Sequence, residues 1–244
     1  MRPSYGLNLN IGSGDYHITD FVSLDLDSER YHANDKNSFI NFDIRKDLLP
    51  YADSKVNNIY ISHVIEHIEN TYIENLFHEC FRVLKKGGVL RISTPDAKFL
   101  YDVSQFKNSY WTWRKHWFED ADNVEENLDT SKLSQIDYFI KEIATPKSPY
   151  YKNKISNIPT DLDFNNYSYN ELVNLLNKNL QFRYEFSGDH INYWDFDKVY
   201  NLGQKCGFKE IINSKYLGSV SELMRRDEFD QKAVMMSLYV DLIK

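Results

Sequence analysis

Cysteine, proline and glycine are all sparse in this 244-residue chain, at 2, 6 and 9 residues. Two cysteines, Cys80 and Cys206, both in helix-like stretches, cannot staple a small loop-rich scaffold, and a reducing, cytoplasmic setting is expected. No Pro/Gly/Ser-rich linker separates independent domains, so residues 1–244 read as one domain with room for elaboration. No apolar run approaches the roughly 18 residues that cross a bilayer. Met1–Ser4 run straight towards a strand-like segment without the apolar core of a signal peptide. Basic charge is also short: 29 Lys+Arg against 36 Asp+Glu leave −7, which argues against a nucleic-acid binder working by phosphate neutralisation. What remains is a chain 42% hydrophobic and 15% aromatic, the composition of a soluble globular protein.

The first hundred residues alternate strand and helix signals. Strand patterns occur at Leu7–Ile11, Phe21–Asp27, Phe39–Asp43, Val56–Ser62 and Val89–Thr94, the last stopped by Pro95. Between the fourth and fifth, Ile73, Leu76, Phe77, Cys80 and Leu84 draw one apolar helical stripe, with Thr71 and Glu74 spaced as a capping box and Gly87-Gly88 as the stop. Strand, helix, strand in that order implies parallel pairing. The fold expected is α/β, a Rossmann-like, mostly parallel sheet of about seven strands with an antiparallel edge strand. Gly12 and Phe21 stand too close for a helical crossover, so a loop or single turn must join the first two strands.

Residues 96 to about 190 break the alternation and read as a helical insertion. It holds an aromatic run, Tyr110 to Phe118, in which Tyr110, Trp113 and Trp117 fall on one helical face, and a helix candidate at Tyr169–Leu180. That face reads as core, as a subunit contact in a homodimer, or as a platform for a sugar or base. The sheet pattern resumes with a helix capped by Asp195 and stopped by Gly207, then strands at Phe208–Leu217 and Met236–Ile243.

Three successive strand ends carry chemistry. Gly12-Ser13-Gly14 follows the first strand, where glycine lets backbone approach a ligand. The third glycine of a dinucleotide fingerprint is replaced by His17, which argues against NAD. Asp25 closes the second strand and can accept both hydroxyls of a ribose. Asp43 closes the third and can accept from an exocyclic amine, with Leu26 and Ile44 as apolar faces for a purine. Together they suit an adenosine without a pyrophosphate.

These residues, with Leu9-Asn10-Ile11-Gly12-Ser13-Gly14, Asp25, Asp43 with Leu49-Pro50, Ile61 to Ile68 and Arg82 to Gly88, resemble the class I S-adenosylmethionine-dependent methyltransferases, nearest to the bacterial "methyltransferase type 11" group. The resemblance implies S-adenosylmethionine as cofactor and S-adenosylhomocysteine as product. It places Gly12 to Gly14 under the methionine part, Asp25 on the ribose hydroxyls, Asp43 on the adenine amine and Ser62-His63 at the methionine end, with Asn10 also among the cofactor-binding positions. Two positions depart from the family: its usual acid before the first glycine is Asn10, and its usual third glycine is Tyr16.

His63 follows the fourth strand, beside the first at the reversal point, and is the leading candidate base for an acceptor hydroxyl, with Glu66 to orient it and His190 as second candidate. The expected function is methyl transfer to an oxygen of a small-molecule or glycan acceptor, a sugar hydroxyl or phosphoramidate-type group in cell-surface polysaccharide synthesis. The competing readings are a non-catalytic methyltransferase-like scaffold and a zinc hydrolase, since His63-Val64-Ile65-Glu66-His67 also spells H-x-x-E-H. No third protein ligand is evident for the latter, and no metal is expected.

Overall fold

The computed structural model describes residues 6–27, 39–106, 108–156, 158 and 166–244; the leader reading of Met1–Ser4 lies outside them. The chain divides into two compact units: one of residues 1–65, 70–94 and 195–244, the other of residues 66–69 and 95–194.

The first unit is a seven-stranded sheet. Its strands are β1 (Leu7–Ile11), β2 (Val22–Asp25), β3 (Phe39–Asn41), β4 (Val56–Ser62), β5 (Leu84–Pro95), β6 (Glu210–Asn213) and β7 (Ser237–Ile243), in the order β3-β2-β1-β4-β5-β7-β6. β1 pairs in parallel with β2 and β4, β2 with β3, and β4 with β5, whereas β6 and β7 are antiparallel. The expected Rossmann-like sheet is therefore present, with its antiparallel pair at one edge. β1 and β4 are buried along most of their length, as strands covered on both faces are, although β1 alternates Leu and Ile with the buried Asn8 and Asn10. Helix α1 (Asn70–Val83) buries Ile73, Leu76, Phe77, Cys80 and Val83. Leu84, read from sequence as the end of that stripe, instead begins β5, because its backbone pairs with Val56.

Only turns join β1 to β2. Strand order reverses between β1 and β4, which opens the carboxyl ends of β1, β2 and β4 for a ligand.

The second unit is helical: α2 (Ala97–Ser104), α3 (Lys115–Glu119), α4 (Gln135–Ile143) and α5 (Tyr169–Asn177), joined by 3-10 turns. Asp96 caps α2, and Ser134/Asp137 and Ser168/Glu171 form capping boxes on α4 and α5. Helix α6 (Phe196–Lys205), in the first unit, is capped by Asp195 through Lys198 N and stops before Gly207 at φ +106. The aromatic run is not one helix. Residues 110–114 are 3-10 and 115–119 a short α-helix, so Tyr110, Trp113 and Trp117 do not share a 3.6-period face. Trp111 stacks on Tyr138, 5.5 Å between centroids, while Trp117 packs on Phe118 and Tyr151.

Candidate cofactor site and histidine cluster

The glycine turn ends β1 with a backbone only glycine adopts easily. Gly12 has φ +69 and donates its N–H to Leu24 O on β2. A Cβ on Gly12 would stand 2.3 Å from Val64 Cγ2, so the residue is required by space as well as by conformation. Gly14, at φ +55, donates its N–H to Asp25 Oδ2 at 2.5 Å, and Leu26 N–H reaches Asp25 Oδ1 at 2.7 Å. The carboxylate that closes β2 is thus locked to the turn that closes β1.

Asn10 stands where the resembled family has an acid. Its Nδ2 donates to Tyr16 O at 3.0 Å and closes the turn from inside. Asn10, Gly12, Ser13 and Ser62 line a hollow of about 310 Å³ together with Tyr16, Tyr60, Gln231 and Lys232. Sequence reasoning missed the last four as liners. Gln231 and Lys232 lie in a loop before β7 that carries neither periodicity nor a strand-end position, and tertiary folding alone brings them here. Tyr60 is buried and its hydroxyl accepts from Asp230 N–H at 2.7 Å; burial, then the Asp230 charge, pushes its pKa up to about 12.

Asp43 sits one residue past Phe42, whose N–H bonds Asp25 O at 2.8 Å, so the two acids stand on adjacent chain segments. Burial would raise the Asp43 pKa, but hydrogen bonds and charge from Arg45 outweigh it and hold the carboxyl below its usual range. Its Oδ1 accepts from Arg45 N and Nε, both at 3.0 Å, and its Oδ2 from Arg45 Nη2 at 2.8 Å, with Lys46 Nζ at 3.2 Å. Ile44 and Arg45 line a second hollow, of about 750 Å³, with Phe42 and the α1 residues Asn75, His78 and Glu79. An adenine amine would share Asp43 with Arg45, a competition not visible from the strand-end pattern.

His63 follows β4 in the left-handed region, φ +53, held by its N–H to Ser93 O at 2.8 Å. Its Nε2 lies 2.7 Å from Ser237 Oγ, and that hydroxyl donates to Ala233 O at 2.9 Å. Nε2 therefore donates to Ser237, and Nδ1 carries the lone pair.

Glu66, His67 and His190 belong to the second unit. Ile65–His67 is a single 3-10 turn after the left-handed His63, so the H-x-x-E-H residues do not share the helical face that a zinc-protease motif needs. Glu66 and His67 group instead with His190. His190 is buried, and that burial, with the charges of His67 and Lys141, pushes its imidazole down to about 3.

Residues 8–92 match the family model described as a methyltransferase domain. No curated protein matches the chain by sequence. Among solved structures, the chain is similar to a Thermotoga maritima S-adenosylmethionine-dependent methyltransferase, a possible histamine N-methyltransferase, at 14% identity and TM-score 0.44, covering 98% of this chain and 82% of that one. It is similar to a Mesorhizobium loti S-adenosylmethionine-dependent methyltransferase at 14% identity and TM-score 0.43, over 99% and 93% of the two chains. An Archaeoglobus fulgidus methyltransferase is similar at 12% identity and TM-score 0.44, over 98% and 86%.

Proposed function

We propose that this chain, a class I S-adenosylmethionine-dependent methyltransferase by its strand order and its methyltransferase domain over residues 8–92, methylates a hydroxyl oxygen of a sugar or glycan acceptor. The observation that carries the cofactor assignment is the glycine turn pinned to Asp25 above the hollow lined by Asn10, Ser13 and Ser62. The bare backbone at Gly12 and the carboxylate of Asp25 fit an adenosyl ribose and its thioether-linked amino acid. When bound, S-adenosylmethionine supplies a methyl already activated by the sulfonium.

The protein's task is then placement and proton removal. In-line positioning of acceptor and donor supplies much of the rate in such a transfer. A neutral hydroxyl also needs a base, and His63 Nδ1, its lone pair set by the Nε2 bond to Ser237, takes that part. Of the two candidate bases His63 is preferred, because His190 is buried and its Nδ1 is turned to a backbone carbonyl, Glu142 O. Asp43 with Ile44, and Leu26, serve the purine end. Within the second unit, exposed Phe99 and half-buried Tyr110, in edge contact at 5.4 Å, present aromatic faces of the kind that suit a sugar ring. A role in cell-surface polysaccharide synthesis, in the cytoplasm, follows from an acceptor of that class.

Calorimetric titration with S-adenosylhomocysteine tests the first half. Wild-type protein should bind, and Asp25→Ala should weaken binding roughly tenfold or more, as loss of a charge-assisted hydrogen bond does. Labelled methyl transfer to a panel of nucleotide sugars and oligosaccharides tests the second. His63→Ala should retain S-adenosylhomocysteine binding and lose turnover. Binding without transfer to any hydroxyl acceptor would favour a scaffold role.

A further inference from the structure

Two segments of the second unit are stitched together around three side chains. Ile191 N–H and Asn192 N–H both donate to Glu66 O, at 2.9 and 3.0 Å, and Asn192 Nδ2 donates to Ile68 O at 2.9 Å. His190 is fastened at both ends to the chain after α4: Thr145 N–H donates to His190 O at 3.0 Å, and His190 N–H to Thr145 Oγ1 at 3.2 Å. This frame holds the rings of His67 and His190 edge to face, 4.9 Å between centroids. One donor atom from each of Glu66, His67 and His190 lies within 4.8 Å of the other two.

The tautomers follow from the partners. His67 Nδ1 lies 2.9 Å from Asp189 O and His190 Nδ1 2.5 Å from Glu142 O. A backbone carbonyl only accepts, so both Nδ1 atoms carry protons, and in the neutral imidazoles the Nε2 atoms carry the lone pairs. An Nδ1–H fixed on a carbonyl is the usual outer-shell support of a metal-binding imidazole. His67 Nε2 and Glu66 Oε1 stand 3.9 Å apart, so an imidazole nitrogen and a carboxylate oxygen face one another across the cluster. The neighbouring acids are committed elsewhere. Glu142 pairs with Arg114 and Lys141, and Asp189 with Arg183 and the Tyr151 hydroxyl. Their backbone carbonyls serve as the clamps, and Glu66 is the carboxylate whose oxygen groups with the two imidazoles.

We propose that Glu66, His67 and His190 bind one divalent transition-metal ion, with a coordination position left for an oxygen ligand. Two imidazoles and a carboxylate suit zinc and its first-row neighbours and do not suit magnesium or calcium. Tetrahedral zinc with bonds of about 2.0–2.1 Å holds its donors roughly 3.4 Å apart, so the three donors draw in by about 1 Å on binding. The site differs from the H-x-x-E-H set in that His190, from a distant part of the sequence, replaces His63, and it departs from the expectation that no metal binds.

The test uses the full chain, stripped with a chelator, then titrated with zinc against a chromophoric chelator and with cobalt for its ligand-field bands. Wild type should take up one equivalent. His67→Ala and His190→Ala should each weaken uptake by roughly 100-fold, and Glu66→Gln, which preserves volume, should also lower it. The exposed His78→Ala and His116→Ala should bind as wild type does. Zinc should raise the melting temperature of wild type and leave that of the His67→Ala/His190→Ala double variant unmoved. Failure of wild type to compete for zinc overturns the proposal, and so does a folded double variant that binds as tightly as wild type. S-adenosylhomocysteine binding, measured on the same samples, reads the methyltransferase assignment separately.

Discussion

At Gly12 a single hydrogen atom decides whether the cofactor turn can form. Alanine there would meet Val64 Cγ2 at 2.3 Å and would have to hold φ +69, two costs of different origin. The steric part belongs to a pair and the conformational part to the residue alone. Gly12→Ala should therefore lose about 1–3 kcal/mol of stability and most S-adenosylhomocysteine affinity. Adding Val64→Ala should return only the part due to the contact. A chemical-denaturation double-mutant cycle measures the split, and full recovery in the double variant would show that left-handed backbone matters little here. Asn10 is the other instructive residue. Its amide donates to the main-chain Tyr16 O, which a carboxylate could not do. Asn10→Asp should therefore loosen the turn, seen as weaker S-adenosylhomocysteine binding.

Among elements, α1 is tied to the chain before β4 by one arginine in its last turn. Arg82 reaches Leu49 O at 3.1 Å, Tyr51 O at 2.8 Å and Asp53 at 2.9 Å, and pairs with Glu79 at 2.7 Å. Glu79 in turn accepts from Leu49 N–H at 2.9 Å. The Arg82 hydrogen bonds hold the Glu79 carboxyl below its usual range, and Asp43 is held low by Arg45 against its own burial. A depressed carboxyl contributes stability that is complete above its unfolded pKa, near 4, and is lost as pH falls through the folded value. The two carboxyls should thus steepen the loss of melting temperature below about pH 4.5, on top of the gentler decline that buried, neutral His190 begins near pH 6.5, and Arg82→Met should flatten the steep acid limb. An unchanged acid limb in Arg82→Met would separate Glu79 from acid stability. The elements of this unit were legible in the sequence because each strand and helix here matches its own period. The segment from Tyr110 to Phe118 was not, because aromatic residues serve 3-10 turns as readily as α-helices and a run of nine gives the two periods too little length to diverge.

Across the molecule, the sheet followed from its strand patterns, and Gly12, Asp25 and Asp43, read from sequence as strand-end positions, stand at or just past the carboxyl ends of β1, β2 and β3, which pair in parallel. What the sequence did not disclose is what long-range closure alone creates, namely the joining of Glu66 and His67 with His190, and the burial of a charge network that closes the first unit. Arg91 on β5 has no exposed side-chain surface, and neither do its partners Asp230 and Asp241. Its Nη2 meets Asp230 Oδ2 at 2.5 Å and Lys215 O at 2.9 Å, and its Nη1 meets Asp241 Oδ1 at 3.0 Å on β7. The two carboxylates also accept from Leu217 N–H and Val220 N–H, so one guanidinium draws together β5, β7 and the loops around residues 215–220 and 230. The Asp230 loop continues into Gln231 and Lys232, which line the hollow with Asn10, Gly12 and Ser62. Arg91→Met would leave two carboxylates buried without their cation, a loss of about 3–5 kcal/mol, or roughly 6–20 °C in melting temperature for a chain of this size. Arg91→Met/Asp230→Asn/Asp241→Asn removes the buried charge altogether and should regain most of that stability, since such sets are often replaced by neutral groups at little cost. Its affinity for S-adenosylhomocysteine should nevertheless stay below that of wild type, because the loop bearing Gln231 and Lys232 would keep its packing and lose its anchor. A triple variant with both stability and affinity restored would show that packing, and not the ionic bridge from β5 to β7, sets the wall of the site.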